Sequence, residues 1–282
     1  MSVRTVPTFG PAVLFCPGDR PDRYGKALAR ADAVIIDLED AVSFARKDAA
    51  RSALREALPD LPVDRILVRV NSIDTLEGRR DLEMIGESGV RTVMVPKAED
   101  PEAIDSLSQF SVIGLCESAR GVQAAHEIAA VHRCVGLMWG GEDLTADIGG
   151  WSSRGRDRKY LPHVDYARSR ILIAAAAARI GAWDGVFLDI ADMDGLETEC
   201  IEAVAMGFAA KVAIHPHQIP LIRKAYRPND DQLRWASGLM AAVGDAESGV
   251  INFEGRMVDG PMITMAQAIL TAGEGESAAE QE

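Results

Sequence analysis

Residues Val112-Ile113-Gly114-Leu115-Cys116-Glu117 form a short apolar run closed by a carboxylate, and this unit decides the fold. A run this short and this apolar suits a strand buried on both faces, the form parallel sheets take in sequence. A helix-like stretch, Gly121–Ala130, follows it. The same unit recurs outward in both directions. Ala12–Cys16, Ala33–Leu38, Ile66–Val70 and Thr92–Val95 precede it, and Val135–Trp139, Val186–Ile190 and Lys211–Ile214 follow. Helical patterns such as Asp22–Arg30, Arg46–Glu56, Leu76–Gly86 and Val164–Ile180 fall between them. Strand–helix alternation allows a closed barrel or a doubly wound sheet, and the count of strands favours an α/β (β/α)8 TIM barrel.

Each apolar run ends abruptly in polar groups. They are Asp19 and Arg20; Asp37, Glu39 and Asp40; Arg69 and Asn71; Lys97; Glu117; Glu142 and Asp143; Asp189; and His215. In a barrel all the carboxyl ends of the strands converge on one mouth, so the pattern predicts a shared site. The barrel is expected over residues 1–217 and a C-terminal extension over 218–272, with a disordered tail from 273 to 282. The extension reads as a helix (Asp230–Val243), a hairpin or extended arm (Gly249–Val258), and a last helix entered at Asp259-Gly260-Pro261.

The 282 residues are 48% apolar, enough for one large core, and carry a formal net charge of −13. Nothing supplies the clustered Lys and Arg that a nucleic-acid backbone requires, so nucleic acid is not expected as a partner. Cys16, Cys116, Cys134 and Cys200 stand far apart and read as buried core residues rather than metal ligands. The absence of a basic-then-apolar leader, or of an apolar stretch near the ~20 residues that span a bilayer, leads to the expectation of a cytoplasmic protein without a membrane partner.

Glu117 and Asp143 are carboxylates at adjacent strand ends, and Gly140 and Gly141 before Asp143 admit close approach. Such a pair can hold a hard cation through one or two oxygens and leave positions for substrate and water. The competing reading makes each a helix cap or an arginine partner. Arg69 at a barrel mouth suits capture of a carboxylate or enolate oxygen, or else an ion pair with Asp37 or Glu39. Glu39 or Asp40 would orient the arginine or metal-bound waters. Arg20, Arg23 and Lys26 form a basic cluster usable for a phosphate tail, or a solvated helix face. His215 and His217 read as packed residues more than as an acid or base, Asp259 as a helix cap. Asp192-Met193-Asp194-Gly195 lacks the distal acid of a calcium loop.

Taken in order, LFCPGDRPDRYGKAL, VIIDLEDAV, VRVNS, VMVPKAE, LCESARG, GLMWGGEDLTADIGG, AIHPHQI and FEGRMVDGP span Leu14 to Pro261. This set resembles the citrate lyase β-subunit-like proteins of the HpcH/HpaI aldolase superfamily. The resemblance implies a barrel assembled as a homotrimer or hexamer that binds Mg2+ and cleaves or forms a 3-hydroxyacyl-CoA thioester of citryl-, malyl- or citramalyl-CoA type. The partners it implies are a CoA thioester and a small 2-keto acid. It puts the metal on Glu117 and Asp143, the substrate on Arg69, Glu117, Gly140 and Gly141, and the CoA phosphates, more weakly, on Arg20, Arg23 and Lys26. Arg69, Glu39 and Asp40 would assist catalysis. Asp259, in a Met-Val-Asp-Gly-Pro segment matching one that enters a neighbouring subunit in related lyases, would move a proton. Two rivals stand beside this expectation: a class II keto-acid aldolase that does without CoA, and a citrate lyase β subunit inactive on its own.

Overall fold

The computed structural model describes residues 9–244 and 251–279. The chain divides into two compact units, Met1–Arg223 and Lys224–Glu282. In the first, β1 (Ala12–Pro17), β2 (Ala33–Asp37), β3 (Ile66–Arg69), β4 (Thr92–Val95), β5 (Ser111–Cys116), β6 (Cys134–Trp139), β7 (Gly181–Asp184) and β8 (Ala210–Ala213) form a closed barrel. Every pairing is parallel, and β8 returns to β1 through Val13↔Val212. The expected barrel is therefore present.

Around it run α1 (Pro21–Leu28), α2 (Lys47–Ala57), α3 (Leu76–Gly86), α4 (Pro101–Asp105), α5 (Ala119–Gln123), α6 (Ala125–Ala130), α7 (Gly141–Asp147), α8 (Pro162–Ala178) and α9 (Met193–Met206), then α10 (Ile219–Tyr226). Alternate strand residues such as Val13, Ile35, Leu67, Met94, Ile113, Met138, Trp183 and Val212 fill the barrel, and their neighbours Val34, Ile36, Val68 and Val93 are covered on the outer face. That double burial is why the strands show no apolar–polar alternation.

One strand lies elsewhere than its apolar pattern suggests. β7 is Gly181–Asp184, and Val186–Ile190 is the irregular segment after it, with Leu188 and Ile190 well exposed. The reason is a charge inside the strand. Asp184 is fully buried on the outer face, where it accepts from Trp139 Nε1 (2.9 Å), Arg168 Nε (2.9 Å) and Lys211 Nζ (2.8 Å). Lys211, also fully buried, bridges Asp184 to Glu199 Oε1 (2.6 Å). The cationic partners hold the Asp184 carboxyl below its usual range although burial alone would raise it. Asp189 accordingly does not end a strand; it pairs with Arg158 at 2.7 Å.

In the second unit, α11 (Asp230–Gly244) and α12 (Gly260–Ala279) pack through Ala236, Leu239 and Ala266 with Val258. Between them β9 (Ile251–Phe253) and β10 (Arg256–Val258) make an antiparallel hairpin turned at Glu254 and Gly255, both with positive φ. Gly249 and Val250 of the expected arm lie outside the described residues. The stretch from Gly273, expected to be disordered, continues as helix to Ala279, while 280–282 lie outside the described residues. Its Ala and Glu residues are strong helix formers and offset the cost of two glycines. All four cysteines are buried and free, and no described helix is long and apolar enough to cross a membrane.

Candidate active site at the carboxyl ends of the strands

Asp37 and Arg69 occupy the same rung of the sheet as the last residues of β2 and β3. Arg69 donates from Nε to Asp37 Oδ1 (2.7 Å) and from Nη2 to Oδ2 (2.6 Å), and its guanidinium lies over the Phe15 ring at 4.7 Å. Asp37 also accepts from the backbone N–H of Glu39 and of Ala41, which fixes the loop after β2. Lys47 Nζ and Asn71 Nδ2 both donate to the Leu38 carbonyl. Asn71 is tied in turn to the buried Asp81 of α3, itself paired with Arg51 of α2. The helices behind the barrel thus pin the loop that presents Glu39.

Glu39 stands among three strands. Its Oε1 accepts from Lys97 Nζ (3.0 Å), and its Oε2 lies 3.3 Å from Arg69 Nη1 without hydrogen-bond alignment, leaving a buried oxygen with no hydrogen bond. Burial raises its carboxyl above the usual range, more than Arg69 and Lys97 lower it. Lys97, the second residue beyond β4, is held with a φ of 47° and donates its backbone N–H to Glu117 Oε1 (3.1 Å). Its Nζ lies 4.0 Å from Asp143 Oδ1.

Glu117 leaves β5 just before Ser118, which caps α5 by accepting from Gly121 N–H. It is buried, and its carboxyl is pushed up to about 8. Burial is the main cause, followed by the charges of Asp143 and Glu39, which Arg69 and Lys97 only partly offset. Asp143 sits in the first turn of α7 and is half exposed. Gly140 at the turn into α7 is required by contact: a Cβ there would come within 2.9 Å of Glu117 Cβ and Oε2. At Gly141 a Cβ would instead press on Val164 and Trp139, so that glycine serves packing. Among the described residues no group of three or more His, Cys, Asp or Glu side chains forms a metal cage. A two-carboxylate arrangement is the kind that holds a cation retaining several waters.

A family model described as HpcH/HpaI aldolase/citrate lyase matches residues 11–216, a span holding every side chain just placed. The chain belongs to this family. Within the HpcH/HpaI aldolase/citrate lyase family it is 49% identical to a citrate lyase subunit beta-like protein of Mycobacterium tuberculosis, over 95% of this chain and 97% of that one. It is 32% identical to a mitochondrial citramalyl-CoA lyase of Rattus norvegicus, over 92% and 85% of the two chains. The crystal structure of CitE from Mycobacterium tuberculosis in complex with magnesium, acetoacetate and coenzyme A superposes with a TM-score of 0.91 at 47% identity, covering 96% of this chain and all of that one.

The structure brings together Glu39, Arg69, Glu117 and Asp143 of the expected set. Asp40 is exposed in the same loop, and the pairing of Arg69 falls to Asp37 and Glu39. Arg20 pairs with Asp22 at 3.0 Å just before α1, whose exposed face carries Arg23 and Lys26. His215 caps the turn Pro216–Gln218, accepting at Nδ1 from His217 N–H, and the two rings pack edge to face. Asp192 caps α9 and pairs with Arg158. Asp259 is exposed, immediately before α12. Two residues without an assigned role in the sequence enter the site, Phe15 under Arg69 and Lys97 between the carboxylates. The charge of Lys97 at a strand end was the available signal for the second. A cavity of about 500 Å3 against Arg154, Tyr160, Phe187, Asp192 and Glu199 is lined by none of Glu39, Arg69, Lys97, Glu117 and Asp143, and its arginines Arg154, Arg158 and Arg168 are already paired with acids.

Proposed function

We propose that this chain is an Mg2+-dependent carbon–carbon lyase that splits a 3-hydroxyacyl-CoA thioester of citryl-, malyl- or citramalyl-CoA type into an acyl-CoA and a 2-keto acid, or runs the reverse condensation. The observation that carries this reading is the under-compensated carboxylate set. Glu117 is buried with a carboxyl pushed up to about 8, Asp143 and Glu39 crowd it, and Glu39 Oε2 lacks a hydrogen bond. That donor set fits a hard divalent cation held by Glu117 and Asp143. When bound, Mg2+ supplies Lewis-acid polarisation of a substrate oxygen and a template for the keto acid.

The chain's own residues account for the rest. Arg69, locked in place by Asp37, sets a fixed positive charge beside oxygen that gains charge in the transition state. Glu39 and Asp40 tune that charge, and Gly140 and Gly141 let substrate approach. In cleavage the 3-hydroxyl gives its proton to solvent water and becomes the carbonyl of the keto acid, while the pair of the breaking carbon–carbon bond moves onto the thioester α-carbon as an enolate. Asp259, contributed by a neighbouring subunit of a homotrimer or hexamer, returns a proton to that carbon. Arg20, Arg23 and Lys26 receive the CoA phosphates. We place the enzyme in the cytoplasm.

The test is a panel of acetyl-CoA or propionyl-CoA with glyoxylate, pyruvate or oxaloacetate and Mg2+, followed in both directions. Turnover by the purified chain supports the reading, and the absence of any reactive pair sinks it. Mixing Asp259→Ala with Arg69→Ala chains should restore part of the activity lost in each; no recovery counts against a site shared between subunits.

A further inference from the structure

Lys97 adopts a left-handed backbone that a residue with a Cβ rarely holds. This turn aims its N–H at Glu117 and sends its side chain across the barrel mouth, from the end of β4 to Glu39 beyond β2 and toward Asp143 beyond β6. An ammonium has three donors. Glu39 Oε1 takes one; Asp143 Oδ1, at 4.0 Å, is beyond hydrogen-bond reach, and the side chain is 44% exposed. Two donors therefore have no acceptor among the described residues. Arg69, the other cation here, is differently placed: Asp37 closes the two-point edge of its guanidinium and its Nη1 side faces Glu39.

We propose that Lys97 is a substrate-binding residue, its ammonium receiving a carboxylate oxygen of the 2-keto acid. This rests on the lyase reading above. An anion entering a mouth lined by Glu39, Glu117 and Asp143 needs a cation with donors to spare, and Lys97 meets both conditions. Its backbone N–H, by orienting Glu117, couples the same residue to the metal carboxylates, so the two roles must be separated by experiment.

Calorimetric titration of the full-length metal-free protein with Mg2+, then of the Mg2+-loaded protein with pyruvate, separates them. Lys97→Met keeps the backbone N–H and should bind Mg2+ within about threefold of wild type, while pyruvate affinity falls about ten- to a hundredfold, the loss expected for a charge-assisted hydrogen bond. Lys97→Arg should recover much of it. Unchanged pyruvate affinity in Lys97→Met overturns the assignment, as does loss of Mg2+ binding alongside pyruvate. Wild-type protein that binds Mg2+ and pyruvate but cleaves no CoA ester overturns the lyase reading and leaves this one standing. Wild-type protein that binds Mg2+ but no pyruvate overturns the assignment of Lys97.

Discussion

Asp37 and Arg69 face each other on one rung of the barrel and close a two-point ion pair, with N–O distances of 2.7 and 2.6 Å. Parallel register places the two side chains together, and burial on both sides makes the pair expensive to break. Burial opposes the Arg69 charge, but the hydrogen bonds and charge of Asp37, with Glu39 and Glu117, outweigh it and raise its proton affinity. The guanidinium is thus held as a permanent cation over Phe15.

Asp37→Asn should therefore weaken both fold and site. Loss of one member of a buried pair costs about 3–5 kcal/mol, to be read from urea unfolding. Activity on the responsive CoA ester should drop more than tenfold, because an unanchored Arg69 no longer presents its charge in a fixed place. Wild-type stability and activity would show that the pair is incidental.

Glu117 sets a pH dependence. Its folded-state carboxyl is raised from 4.5 to about 8, so the metal-free protein holds that proton more tightly than the unfolded chain does. The contribution to stability is complete below about 4.5, declines as pH rises, and is lost once pH passes about 8. If Glu117 holds Mg2+ as proposed, the ion requires its carboxylate, so Mg2+ affinity should climb by up to about tenfold per pH unit below pH 8 and flatten above it. Glu117→Gln should remove both effects, abolishing Mg2+ binding while making the metal-free protein more stable at high pH. Each tenfold change in proton affinity is worth about 1.4 kcal/mol. Calorimetry across pH, with and without the substitution, checks this; a flat Mg2+ profile counts against it.

Gly140→Ala should leave the fold intact and damage the proposed metal site. The added methyl comes within 2.9 Å of Glu117 Cβ and Oε2, so that side chain must shift. Circular dichroism should match wild type, while the Mg2+ dissociation constant rises at least about tenfold, since a misplaced ligand costs a metal site dearly. An unchanged constant would mean that Glu117 moves aside freely.

Lys211→Met is the converse case. The ammonium bridges Asp184 and Glu199 in a fully buried cluster on the outer face of the barrel. Removing it takes one of two cations from each acid, leaving Arg168 on Asp184 and Arg154 on Glu199, and should cost about 3–5 kcal/mol. Mg2+ binding by the fraction that folds should stay at wild-type strength, which separates this cluster from the site.

Much of the site was legible because barrel topology turns a local rule into a global one. Glu117, Asp143 and Arg69 each follow or close an apolar run, and parallel strands bring such ends to one mouth whatever separates them in sequence. β7 was misplaced for the opposite reason. Asp184 ends a buried strand with its carboxylate facing the helices, and partners from α8, β6 and β8 make that tolerable. A run scored by apolar content cannot register charges cancelled by residues 16 and 27 positions away.

By itself the sequence determined the class of fold, the eight-fold alternation, and the candidate metal carboxylates, since strand propensity and strand-end polarity are local properties. Only the tertiary structure decided how those groups act on one another. It paired Asp37 with Arg69 across a rung, set Glu39 between Arg69 and Lys97, buried Glu117 deeply enough to raise its carboxyl, and turned the Lys97 ammonium across the mouth. Those relations depend on register, burial and distance between strands, and electrostatic energies are set by distance and local dielectric, neither of which is written in any single stretch of chain.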